Sequence, residues 1–316
     1  MSRLLPRRRG KTEYLATLAA LLVLVSACSA GSPRSAATDP GRQPEAVRPE
    51  GLQKRIGVAP FQVLTQHTDP YSRKLMRSYV LSAIRSECPG VVFVDPADKA
   101  YPPVLRSLPR LESGDLDNLQ AAITGRQLGL NAVMVGTLTS VGMEEKDWGF
   151  WLLKQTRHFV RVQVLLEIYD TETATKLVDE TADGRVRIDA ADAEMIERKD
   201  NIDSGFVEEV LEIVAEDLGE DICEAIEDQD WKSFVLSAGP EEVWIAAGSQ
   251  SGLEPGRVLE VFDSNTILEG FGGHRYFKPG PKIAEVKLVE VEPRRSKAVV
   301  VTGGDIQQLS TVKAKD

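Results

Sequence analysis

Three kinds of hydrophobic pattern follow one another along this 316-residue chain. Residues 14–27 form an uncharged apolar run. Helical and strand periodicities then alternate from residue 53 to about residue 229. From Trp231 onward helical spacing is gone, and short apolar stretches are separated by Gly and Pro.

The clearest strand is 159–169. Val160, Val162, Val164, Leu166 and Ile168 share one face, while Arg161, Gln163 and Glu167 share the other with Leu165 and Tyr169. A period of two means one packed face and one at least partly wet. Upstream, Ile56, Val58 and Phe61 predict a short strand. Asp69-Pro70 supplies an N-cap and a first-turn proline for a helix reaching about Cys88, with Leu81, Ile84 and Cys88 on one face. Pro89-Gly90 stops it, and 91–94 is a second strand. A loop with Pro102, Pro103 and Pro109 leads to a helix at about 116–128, closed by Gly129, and to a third strand at 132–141. Beyond 159–169 come a turn at 171–176, a strand at 177–188 and a polar stretch to Asp203-Ser204. The last helix, 206–227, carries Val207, Leu211, Val214, Leu218, Ile222 and Ile226 on one stripe. The order βαβα, antiparallel strands, long helix predicts an α/β sandwich with a mixed sheet over 53–229.

Residues 230–316 predict six short strands, at 234–237, 243–247, 258–262, 283–292, 298–302 and about 310–313. That density suggests a small β-barrel or sandwich. The expected fold class is therefore α+β.

The apolar run is too short to span a bilayer, which needs about 20 residues, but it suits a secretory signal. Arg3, Arg7, Arg8, Arg9 and Lys11 precede it, and it ends in Val25-Ser26-Ala27-Cys28. This resembles the lipobox of bacterial lipoproteins, which implies a signal peptide at 1–27, cleavage before Cys28 and lipid on its thiol. Ser29 points to the outer membrane, periplasmic face, rather than the inner one. Residues 28–52 are rich in Pro, Gly, Ser and Ala and read as a flexible tether. Residues 1–27 hold five of the 38 basic residues and one of the 48 acidic ones, leaving 33 against 47. Such a surface repels nucleic acid, so none is expected as a partner.

Of the three cysteines, Cys88 and Cys223 remain once Cys28 is acylated. In an oxidising compartment the pair reads as a disulfide or as two buried thiols. His67, His158 and His274 have no partners at metal-ligand spacing. Gly248-Ser249-Gln250-Ser251-Gly252 has Gln where a nucleophile elbow needs Ser. The Glu/Asp pairs along the last helix suit a solvated face. No catalytic residue, metal site or cofactor is expected. Trp148-Gly149-Phe150-Trp151-Leu152-Leu153 stands out: it reads as a partner or membrane contact centred on Trp148, Phe150, Trp151 and Leu152, or as a plug over its own sheet.

Three stretches resemble the curli-secretion lipoprotein family CsgG and its relatives, including the amino-terminal domain of TolB. They are Arg55-Ile56-Gly57-Val58-Ala59-Pro60-Phe61, the step from Leu128 through Gly129-Leu130-Asn131-Ala132 to Thr137, and the turn Tyr169-Asp170-Thr171-Glu172-Thr173. Gly248-Ser249 through Gly252-Leu253-Glu254-Pro255-Gly256 to Val258-Leu259-Glu260-Val261 is similar to the carboxy-terminal domain of flagellar assembly protein T. Arg257 replaces that family's usual acidic residue. The resemblance implies a non-enzymatic envelope component that binds other envelope proteins or itself, held at the membrane through Cys28. The alternative is a subunit of a CsgG-type secretion channel. A pore-forming member needs two amphipathic hairpins, and only one candidate exists, 137–151 with 153–169, because the hairpin across 171–176 is too polar to face lipid. An enzyme of the periplasm is the third and least supported reading.

Overall fold

The computed structural model describes residues 51–65, 71–150, 155–239 and 242–315. The signal peptide at 1–27, Cys28, the tether up to residue 50, His67, Asp69-Pro70, and Trp151 with Leu152 lie outside the described residues.

Six strands, β1 (Lys54–Val58), β2 (Gln62–Val63), β3 (Val91–Val94), β4 (Ala132–Trp148), β5 (Gln155–Asp170) and β6 (Lys176–Ile188), build one mixed sheet. Its order is β3-β1-β4-β5-β6, with β2 beside β4. β1 is parallel to β3 and β4, whereas β4, β5 and β6 are antiparallel. The helices are α1 (Ser72–Glu87), α2 (Asn118–Leu128), α3 (Ala190–Lys199) and α4 (Ser204–Glu227). α1 and α4 cover one face of the sheet, and their apolar stripes join the strands in a single core. Val160, Val162, Val164, Leu166 and Ile168 of β5 are each fully buried there. At roughly 2 kcal/mol per aliphatic side chain, this one strand face contributes on the order of 10 kcal/mol as an upper estimate. That is enough to fix its register, because a one-residue slip would expose all five. On α4, Glu209, Glu216, Asp217, Glu220 and Asp221 point to water. Cys88, just past α1, and Cys223 on α4 are joined by a disulfide with Cα atoms 5.5 Å apart.

Six of the later strands close into a barrel: β7 (Lys232–Ala238), β8 (Val243–Ile245), β9 (Val258–Phe262), β12 (Lys282–Val291), β13 (Ser296–Gly303) and β14 (Thr311–Ala314). Closure decides between barrel and sandwich, and it leaves no free edge. Val235, Ile245, Leu259, Val261, Val286, Leu288 and Val312 fill it. The fold is thus α+β, a mixed-sheet sandwich with a small barrel. A further hairpin, β10 (Ile267–Glu269) with β11 (Arg275–Phe277), stands off the barrel and lies against α2.

The structure departs from the sequence reading in three places. The polar stretch before Asp203 contains α3, capped by Asp189. The β10–β11 hairpin occupies what read as loop. β4 and β5 extend well past the expected 132–141 and 159–169.

α2 is held between the sheet and the barrel, and charged groups are buried at this joint. Arg126 is 0% exposed. Its guanidinium donates to the carbonyls of Thr171 (2.8 Å), Glu172, Ser264 (3.1 Å) and Leu309 (3.1 Å). Burial pushes its pKa down to about 10, against the raising influence of Glu172 and Asp170. Beside it, Lys232 of β7 pairs with Asp170, whose other oxygen accepts from Thr173 N and Oγ1 at 2.8 and 2.7 Å. Asn131 bridges the same seam, accepting from Arg55 N at 2.8 Å and donating to Lys232 O at 3.0 Å. Gly129 ends α2 in the left-handed region (φ 64°), and a Cβ there would lie 1.8 Å from Ala246 O of the barrel. Only glycine meets both demands. Two of the stretches that carry the sequence resemblance, 128–132 and 169–173, therefore form the joint.

Candidate functional site

Among the described residues β4 and β5 make the longest hairpin, paired from Ala132–Asp170 to Trp148–Gln155 with one register shift between Leu138 and Ser140. At about 3.3 Å per residue, the 17 residues of β4 span roughly 55 Å. The third strand stops earlier: β6 ends where Ile188 pairs with His158. On the other side, β2 leaves β4 at Leu138. Residues 146–148 and 155–157 are thus a two-stranded ribbon with no strand alongside among the described residues.

Part of the ribbon's polar surface is paired. Lys146 pairs with Glu144 at 3.1 Å, and Thr156 Oγ1 donates to Asp147 at 3.2 Å. His158 Nδ1 lies 3.2 Å from Glu145 Oε1, off hydrogen-bonding geometry, and Arg157 Nε has no hydrogen-bond partner among the described residues. Trp148 is 61% exposed and Phe150 is 87% exposed. Arg157, diagonal to Trp148 in the ladder, places its guanidinium 4.4 Å from the indole centroid. That contact braces the ring from one side. Gly149 makes the turn between the two aromatics at φ 121°, a conformation open to glycine alone. Neither ring folds back over the sheet as a plug. Of the four residues expected to make the contact, Trp148 and Phe150 sit together at the tip, and Trp151 and Leu152 fall outside the described residues.

The opposite end of the sheet lies at the barrel. β1 starts there, and Gln53 N donates to Ser251 O at 3.1 Å. The chain therefore enters its described body at Gly51 on the barrel side, about one strand length from Trp148.

Other expected or rejected chemistry falls elsewhere. His274 Nδ1 is 3.3 Å from Asn118 Oδ1 on α2. Ser249–Ser251 is one short 3-10 turn ended by Gly252 in the left-handed region. Among the described residues, one trio of His, Cys, Asp or Glu lies close enough to share a metal ion, namely Cys88, Cys223 and Glu227. Its two sulfurs are bonded to each other. Burial raises the Tyr101 phenol, which donates to Val58 O at 2.7 Å. Arg126 and Lys232 lie outside the candidate residues that the sequence singles out. The signal available for Arg126 was a cation among Ala121, Ala122 and Gly125 on a helix bounded by Asp117 and Gly129.

No protein-family model and no curated protein match the chain. Solved structures with a partial likeness include the hypothetical protein CT253 from Chlamydia trachomatis, 11% identical, covering 55% of this chain and 96% of that one at a TM-score of 0.32. Lipoprotein GNA1162 from Neisseria meningitidis is 17% identical, over 52% of this chain and 97% of its own, at 0.29. A minor lipoprotein from Acinetobacter baumannii is 11% identical, over 55% and 91%, at 0.26. Such scores reach neither the fold nor the activity of this chain.

Proposed function

We propose that this chain is a non-enzymatic, lipid-anchored binding component of the bacterial cell envelope. It is held at the periplasmic face of the outer membrane through Cys28 and engages a partner protein through the tip of the β4–β5 hairpin. The observation that carries this reading is the pair of aromatics at the end of the ribbon, Trp148 and Phe150, left in water while Lys146 and Asp147 beside them are held by Glu144 and Thr156. Exposed aromatics of this kind mark contact sites. The motif resemblance to envelope assembly and secretion proteins supports the same role.

The magnitude of burial at the tip bounds what the two rings can do alone. Burying both rings would remove on the order of 300 Å² of apolar surface, about 7 kcal/mol gross. Association itself costs about 4–15 kcal/mol, so the tip acts as an anchor residue pair within a wider contact.

The test is a photo-crosslinking amino acid at Phe150 in living cells, with Glu209 on the exposed face of α4 as the control position. We expect one discrete protein adduct from position 150, none from 209, and its loss in the Trp148→Ala background with stability changed by less than about 0.5 kcal/mol. Adducts to phospholipid would replace the partner reading with a membrane one. A ladder at multiples of the chain's own mass would favour the channel-subunit alternative.

A further inference from the structure

A cleft of about 910 Å³ opens between the β1–β3 end of the sheet and the barrel. Arg55, Arg257 and Arg294 all line it, in a chain whose formal net charge is −10. We infer that this cleft is a binding site for a small dianion, a phosphate monoester, pyrophosphate or dicarboxylate group seated on the three arginines. The inference is independent of the hairpin reading.

The arginines of the barrel region divide into two sets. Arg275 is paired with Asp117 at 3.4 Å, and Arg295 is held by Glu292 through two bonds of 2.8 and 3.0 Å. Among the described residues, neither the Arg257 nor the Arg294 guanidinium has an ion-pair or hydrogen-bond partner. The unpaired set is the set in the cleft. Arg55 spends one nitrogen on Leu128 O at 3.1 Å, leaving its other donors free. It also lies within electrostatic reach of Arg294, and burial together with that like charge lowers its pKa. Asp98 and Glu254 also line the cleft, yet Arg294 is the one charged group that shifts Arg55. Asp98 is occupied in its own loop, accepting from Asp95 N at 3.3 Å. Like charges facing one cavity cost stability unless an anion sits between them. Guanidinium groups take phosphate and carboxylate through paired donors. The volume lies in the range of about 300–1,000 Å³ usual for small-molecule sites.

The experiment is calorimetric titration of the full lipidated chain in phosphatidylcholine nanodiscs with pyrophosphate, and separately with citrate, at constant ionic strength. Saturable binding is expected, weakened roughly tenfold or more by Arg257→Gln and again by Arg294→Gln. Arg295→Gln should bind as the unaltered chain does. Without ligand, Arg294→Gln should melt no lower than the parent, since Arg55 loses a like-charged neighbour. A lowered melting temperature would make Arg294 a structural residue and overturn the proposal. So would the absence of saturable binding, or equal binding by the double variant. Loss of pyrophosphate binding in phosphatidylglycerol nanodiscs would make the lipid headgroup the occupant and overturn the assignment to a free dianion.

Discussion

The guanidinium carbon of Arg126, on α2, lies 3.6 Å from the ring centroid of Phe277, on β11, and 5.2 Å from that of Phe234, on β7. One side chain from the α/β part thus lies against two aromatics, one from the barrel and one from the β10–β11 hairpin, while its nitrogens are spent on carbonyls from both parts of the chain. Arg126→Ala should remove this and strand buried carbonyls of Thr171, Glu172, Ser264 and Leu309. Leaving one such acceptor bare costs about 1–3 kcal/mol, so a total loss of about 3–5 kcal/mol or more is expected in urea denaturation. Arg126→Lys should recover only part of it, because an ammonium cannot fork among several acceptors. A loss below 1 kcal/mol for the alanine variant would show that the joint does not depend on this residue.

The Cys88–Cys223 bond closes a loop across 135 residues and ties α1 to α4. Chain-entropy arguments give about 4–5 kcal/mol for a loop of this size. Cys88→Ser with Cys223→Ser should lower stability by about that amount, and reductant should shift the parent chain on a gel. Equal stability with and without reductant would sink the bond.

Tyr79 on α1 donates to Glu208 Oε1 on α4 at 2.7 Å. That hydrogen bond to a carboxylate, with burial second, raises the phenol from 10.0 to about 12. Because the folded value is the higher one, the bond's stabilisation is complete below about pH 10 and is lost as pH rises through about 12. Tyr79→Phe should therefore lose stability at neutral pH and show a shallower alkaline decline than the parent. Parallel alkaline profiles for the two chains would refute the assignment.

Cys28→Ala should block processing by the lipoprotein peptidase and leave a longer chain. If that variant still matures to the same size and stays with membranes, lipid on Cys28 is not the anchor.

The strands and helices with one wet face were legible in the sequence. β5 announces itself because five alternate residues are fully buried while Arg161 meets water, and the six barrel strands follow from apolar stretches punctuated by Gly and Pro. Elements that bury little were not legible. α3 buries only Ala193, and all three residues of β10 are exposed, so neither leaves a pattern. α2 was legible as a helix closed by Gly129, but not its burial between sheet and barrel, because its arginine reads as surface. The hairpin tip was legible as composition in Trp148 and Phe150. Its reach was legible only as the candidate hairpin of 137–151 with 153–169, since residues 144–148 and 155–159 are mostly polar on both faces and show no strand periodicity of their own. The cleft of Arg55, Arg257 and Arg294 joins residues scattered over 240 positions and had no local signature.

Gly51 and Trp148 mark the two ends of the sheet. Loaded between them, the molecule is a strut in tension. Pulling drives β1 and β4 lengthwise past each other, so the bonds joining 56–58 to 132–134 are sheared together instead of being unzipped singly. The covalent link from α1 to α4 limits how far the layer above the sheet can slip. A protein gripped at the hairpin and leashed at the barrel would transmit force before it yielded.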